Sequence, residues 1–167
     1  MQYRVLIVED REEEAAALGI MLTHHKNSVV FKPTIVHSVR ECINILRENS
    51  YHVILLDLNL KNGSGDETFN RIYEASNKNL GLPSEDRTPI VILTGDGMAD
   101  YSELIQKGAR DFISKPVGAD ELAKRLHTAI LLFPYKRTEE LYDSIEGTLQ
   151  EAKQTISRMC SQSPSKS

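Results

Sequence analysis

Acids, a hydroxyl and an amine stand just beyond short apolar runs in this chain: Glu9 and Asp10 after Val5–Val8, Asp57 after Val53–Leu56, Thr94 after Ile90–Leu93 and Lys115 after Phe112–Ile113. Three carboxylates brought together repel one another and rise in pKa unless a cation joins them, and hard oxygen donors in that number suit octahedral magnesium. Beside such a cation a carboxylate is able to attack a phosphoryl group, because the metal and an ammonium neutralise charge on the equatorial oxygens. Asp57, which ends the most apolar run, is the candidate nucleophile. Lys115 then pairs with it or with a phosphoryl oxygen, and Thr94 donates a hydrogen bond to that oxygen. Singly, an Asp after a strand is ordinarily a turn residue, a Thr before Gly turn chemistry and a Lys before Pro surface. Their joint occurrence at successive strand ends is what favours chemistry.

The elements that must position these groups are legible as five apolar runs, Val5–Val8, Ile35–Val36, Val53–Leu56, Ile90–Leu93 and Phe112–Ile113, alternating with helical patterns. Three runs are continuously apolar, as strands of a parallel sheet covered on both faces should be, while Pro33 ahead of the second suits an edge strand. The first helix spans Glu12 to about His24 with Ala16, Leu18, Met21 and Leu22 inward. Ser38 with Glu41, and Ser64 with Glu67, have capping-box spacing ahead of apolar stripes through Val39, Cys42, Ile43 and Leu46, and through Phe69, Ile72 and Tyr73. Asp100 opens a helix bearing Leu104 and Ile105 that stops at Gly108, and Leu122, Leu126, Ala129, Ile130 and Phe133 line a last one before Pro134. Asn77 to Arg87 reads as a long loop. Five βα units predict right-handed crossovers and a ligand site at the carboxyl ends of the strands.

The length of 167 residues allows one domain, residues 1–133, and a further segment, 134–167. In the latter, Tyr142, Ile145, Leu149, Ala152, Ile156 and Met159 follow heptad spacing for a helix over about 137–160, which either packs back on its own domain or self-associates into a homodimer; Ser161 to Ser167 reads as disordered. A net charge of -4 with scattered Lys and Arg argues against direct nucleic-acid binding. Val5–Val8 is too short for a signal peptide core or a membrane span, so a cytoplasmic protein is expected. Cys42 and Cys160 lack metal-ligand spacing, and adjacent His24 and His25 point to different helix faces.

The segments Val5-Leu6-Ile7-Val8-Glu9-Asp10, Val53-Ile54-Leu55-Leu56-Asp57-Leu58-Asn59-Leu60, Ile90-Val91-Ile92-Leu93-Thr94-Gly95 and Gly108-Ala109-Arg110-Asp111-Phe112-Ile113-Ser114-Lys115-Pro116 resemble the signature regions of the receiver domain of two-component response regulators, over about residues 3–133. The resemblance implies a flavodoxin-like, doubly wound (βα)5 fold with strand order 2-1-3-4-5. It implies that Glu9, Asp10, Asp57 and the backbone carbonyl of Asn59 hold Mg²⁺, that Asp57 is the phosphoacceptor, that Thr94 and Phe112 form the switch, and that Lys115–Pro116 is cis. A sensor histidine kinase or phosphotransfer protein would supply the phosphoryl group. A downstream protein would dock on the face made by the fourth helix, fifth strand and fifth helix, near Tyr101, Gln106 and Lys107, with no enzymatic activity beyond self-phosphorylation and autodephosphorylation. Asn59 and Asp96 would flank the hydrolytic water.

Two departures stand out: Lys61 where the family often has Pro, and a spacing of 37 residues from Asp57 to Thr94, the surplus lying in the Asn77 to Arg87 loop. The chain reads as a stand-alone receiver or the receiver portion of a longer regulator. A haloacid dehalogenase-like phosphatase would need an acid where Asn59 stands, a flavin carrier would find its phosphate repelled by Glu9 and Asp10, and a purely structural domain would not take up phosphate.

Overall fold

Alternate residues of a strand face opposite sides of its sheet, so a strand that is apolar at every position needs a helical layer on each side. The computed structural model meets that demand. It describes residues 2–60, 64–78, 88–95 and 101–132, together with helical positions 149, 150, 153 and 154. The chain divides into two units, residues 1–131 and 132–167. The heptad segment and Asp96 lie almost wholly, or entirely, outside the described residues, as do Asp100, Lys61 and most of the Asn77 to Arg87 stretch.

In the first unit the order is β1 (Gln2–Val8), α1 (Glu12–Thr23), β2 (Val30–Val36), α2 (Val39–Glu48), β3 (Val53–Asp57), α3 (Gly65–Lys78), β4 (Ile90–Thr94), α4 (Ser102–Gln106), β5 (Asp111–Ser114) and a helix α5 over 119–131. The strands form one parallel sheet in the order β2-β1-β3-β4-β5. Even-numbered residues of the three central strands (Leu6, Val8, Ile54, Leu56, Ile90, Ile92) pack with Cys42 and Leu46 of α2, Phe69 and Ile72 of α3 and Leu104 of α4. Odd-numbered ones (Val5, Ile7, Val53, Leu55, Val91, Leu93) pack with Leu18 and Leu22 of α1 and Leu122, Leu126 and Ala129 of α5.

The sequence expectation is corrected in places. β2 starts at Val30, not Ile35: it is an edge strand paired along its length with β1, and between buried Phe31 and Val36 the residues Lys32, Pro33 and Thr34 interrupt the apolar signal without interrupting the pairing. In α1 the inward residues are Ala15, Leu18, Gly19 and Leu22, whereas Ala16 is exposed. Ile105 of α4 faces outward beside buried Leu104.

Both predicted caps form. Ser38 Oγ accepts from the Glu41 amide and Ser64 Oγ from the Glu67 amide, each at 3.2 Å. The Glu41 carboxylate reaches back one residue beyond the cap, to the His37 amide at 2.8 Å. After α4 the chain turns at Gly108 with φ +110°, and a Cβ there would lie 2.7 Å from the Tyr73 ring, so both backbone and space require glycine. Arg125 of α5 clamps β5: its guanidinium donates to both Asp111 carboxylate oxygens at 2.7 and 2.6 Å and to the Phe112 carbonyl at 2.6 Å. Cys42 is a buried free thiol, and burial pushes it up to about 12.

Candidate functional site

Register brings the chemical groups to one edge. Val8 lies opposite Leu56, so Glu9, one step on, comes beside Asp57; Asp57 lies opposite Leu93, so Thr94 follows it. Thr94 in turn lies opposite Ser114, and the Lys115 amide bonds the Thr94 carbonyl at 2.7 Å before the cis Lys115–Pro116 bond turns the chain. Glu9, Asp57 and Thr94 are all buried. Buried polar groups at strand ends are costly unless partnered; here Glu9 and Asp57 are partnered with each other and with Lys115, and Thr94 with Tyr101.

The Lys115 ammonium is the centre of the arrangement. Its Nζ lies 2.5 Å from Asp57 Oδ2, 2.6 Å from Glu14 Oε2 and 3.4 Å from Glu9 Oε2. Arg11 pairs with the other oxygen of Glu14 at 2.6 Å, and its amide donates to Glu9 Oε1 at 3.0 Å. The Asn59 amide turns back to donate to Asp57 Oδ1 at 2.8 Å. Burial pushes Glu9 up to about 7, helped by its hydrogen bond to Asp57 and the charge of that neighbour. Burial also pushes Asp57 upward, but the hydrogen bond from Glu9, the ammonium of Lys115 and the Asn59 amide outweigh it and hold the carboxyl below its ordinary value. Lys115 is raised despite burial, by Asp57 and Glu14. Below about pH 7, Glu9 thus keeps a proton to donate to an ionised Asp57 that faces an ammonium.

Among the described residues, the metal-competent group is Glu9, Glu14 and Asp57, whose ligand oxygens lie within 4.8 Å of one another. Asp10, expected in that role, is half-buried beside Glu9 and is not in the group. Glu14 went unnoticed in the sequence because it closes the run Glu12–Glu14, which resembles the charged first turn of a helix. Its signal was position: it lies four residues before buried Leu18, on the continuation of the inward stripe.

Thr94 carries its hydroxyl 2.7 Å from that of Tyr101, immediately before α4. The Tyr101 ring stacks on Phe112, centroids 4.7 Å apart and planes inclined by 15°. Tyr101 was placed by sequence only near a partner face; its bond to Thr94 had no spacing rule to reveal it.

A doubly wound five-stranded sheet with a buried acid, a strand-end lysine and a hydroxyl at its carboxyl edge defines the class of signalling receiver modules. Residues 5–127 match the response regulator receiver domain family, and the chain belongs to it. It is 34% identical over 128 residues to the cell cycle response regulator CtrA of Brucella ovis and 32% identical over 127 residues to the uncharacterized transcriptional regulatory protein YkoG of Bacillus subtilis, matches that cover 76% and 75% of this chain. It spans 50% of the length of each of these relatives. Among solved structures, a signal receiver domain from Vibrio parahaemolyticus superposes with TM-score 0.64 at 27% identity, covering 84% of this chain and 98% of that one. The receiver domain of a sensor histidine kinase from Pseudomonas aeruginosa, which has magnesium coordinated in its active site cleft, superposes with TM-score 0.61 at 23% identity, covering 78% and 98%. The chain is thus a receiver domain of two-component signalling. Among the described residues no helix is long and apolar enough to cross a membrane.

Proposed function

We propose that Asp57 is the phosphoacceptor of a magnesium-dependent switch. The observation that carries this reading is the Lys115 ammonium at 2.5 Å from Asp57 Oδ2 with two further carboxylates around it. This donor set fits a divalent cation: it consists of hard oxygens, it already gathers about a positive charge, and the proton between Glu9 and Asp57 is one a metal would displace. Glu9, Asp57 and Glu14 would hold Mg²⁺, with Asp10 and the Asn59 carbonyl as its further donors. The ion would supply neutralisation of charge on the phosphoryl oxygens.

The chain's own residues do the rest. The ionised Asp57 oxygen attacks phosphorus, the bond from phosphorus to the donor's leaving atom breaks, and the electron pair leaves with the donor, a phosphohistidine of a sensor kinase or phosphotransfer protein. Lys115 follows the new phosphoryl oxygens and Thr94 donates to one of them. Asn59 and Asp96 orient the water that later hydrolyses the acyl phosphate. The downstream protein reads the α4–β5–α5 face in the cytoplasm, and the chain works as the receiver portion of a longer regulator, either singly or as a homodimer.

Treatment with acetyl phosphate and Mg²⁺ should add the mass of one phosphoryl group to the wild type and none to Asp57→Asn. A modified Asp57→Asn, or an unmodified wild type, overturns the assignment.

A further inference from the structure

We propose that Tyr101 is a positioning residue that restrains the Thr94 hydroxyl in the unphosphorylated state and passes its release to Phe112 and α4. The inference rests on the phosphoacceptor reading of Asp57 and deepens it. Thr94 must present its single proton to an anion on Asp57, yet its oxygen is 2.7 Å from the Tyr101 hydroxyl. Either oxygen of the pair is able to donate; the restraint takes Thr94 as the donor, whose one proton cannot serve Tyr101 and a phosphoryl oxygen at once.

Phe112 has no hydroxyl with which to bond Thr94. Tyr101 can do so on its behalf: one end of the ring touches the reactive edge and its face lies on Phe112 at 4.7 Å. Tyr101 is also the residue from which α4 starts, since the Ile105 amide bonds its carbonyl at 3.1 Å. A change at Thr94 therefore reaches a ring of β5 and the first turn of α4 through one side chain. Both rings are half-buried, so the pair is able to rotate without opening the core.

Tyr101→Phe keeps the stacking and removes the hydroxyl. The restraint predicts that this variant binds beryllofluoride with Mg²⁺ about 2- to 10-fold more tightly than wild type, the range expected for one net hydrogen bond. Its Mg²⁺ affinity alone should be unchanged. In ¹⁵N-resolved NMR titrations, the Phe112 and Leu104 amide shifts caused by beryllofluoride should shrink, while those at Asp57 persist. A merely structural role would lower the thermal midpoint without moving the affinity or the pattern of shifts. Equal or weaker beryllofluoride binding, or undiminished shifts at Phe112 and Leu104, overturns the proposal. If wild type shows no beryllofluoride response at all, the phosphoacceptor reading fails and takes the restraint with it, an outcome distinct from failure of Tyr101 alone.

Discussion

Glu9 and Asp57 share one buried space yet move in opposite directions, because the ammonium of Lys115 is closer to Asp57 and a single proton suffices for both acids. The consequence for stability has a definite sign. Glu9 in the folded protein holds its proton up to about 7 instead of 4.5, so the folded state binds more protons over that interval and loses stability as pH rises through it. In chelator, the unfolding free energy from urea titrations should fall between pH 4.5 and 8, by at most about 3 kcal/mol from this group. In Glu9→Gln the same slope should flatten; an unchanged slope would assign the titration to another residue. Asp57, held low, works the other way: its contribution is lost only as pH falls below the ordinary carboxylate range. Added Mg²⁺ should abolish the Glu9 slope by taking the place of the shared proton, which a calorimetric count of released protons near pH 7 would measure.

At the scale of elements, two small features hold the frame on which these groups sit. Gly108 ends the α4 turn with a backbone that L side chains rarely adopt and with the Tyr73 ring against its Cα. Gly108→Ala should cost roughly 1–3 kcal/mol in urea denaturation, and in a Tyr73→Ala background the same substitution should cost less but not nothing, since space is restored but φ is not. Ser38→Ala and Ser64→Ala should each cost about 1 kcal/mol by removing one capped amide. Legibility followed the same physics. Asp57, Glu9, Thr94 and Lys115 could be found because each closes an apolar run that itself announces a buried strand. β2 was seen in only its last two residues because Lys32, Pro33 and Thr34 separate buried Phe31 from Ile35 and Val36 and break the apolar run that announces a strand. Glu14 and Tyr101 were missed as participants because their role depends on how a helix lies over the strand ends, which spacing along the chain does not encode.

Across the whole domain, the sheet carries two apolar layers that meet no water, and Cys42 sits in one of them with its thiol raised to about 12. A buried thiol of that kind reacts only when its layer opens. In a Cys160→Ser background, alkylation of Cys42 should therefore be slow in the native protein and accelerate with urea in parallel with global unfolding; fast labelling at zero urea would mean that α2 detaches on its own. The clamp of Arg125 on β5 has a consequence for how information leaves such a domain. With the carbonyl of Phe112 tethered to α5 and its amide to Asp111 at 2.8 Å, the main chain there is pinned on both sides of the ring. If the proposed relay through Tyr101 operates, what travels outward at that edge is a swivel of aromatic planes on a stationary ribbon, so on adding beryllofluoride and Mg²⁺ deuterium uptake along β5 should stay constant while ring-flip rates change.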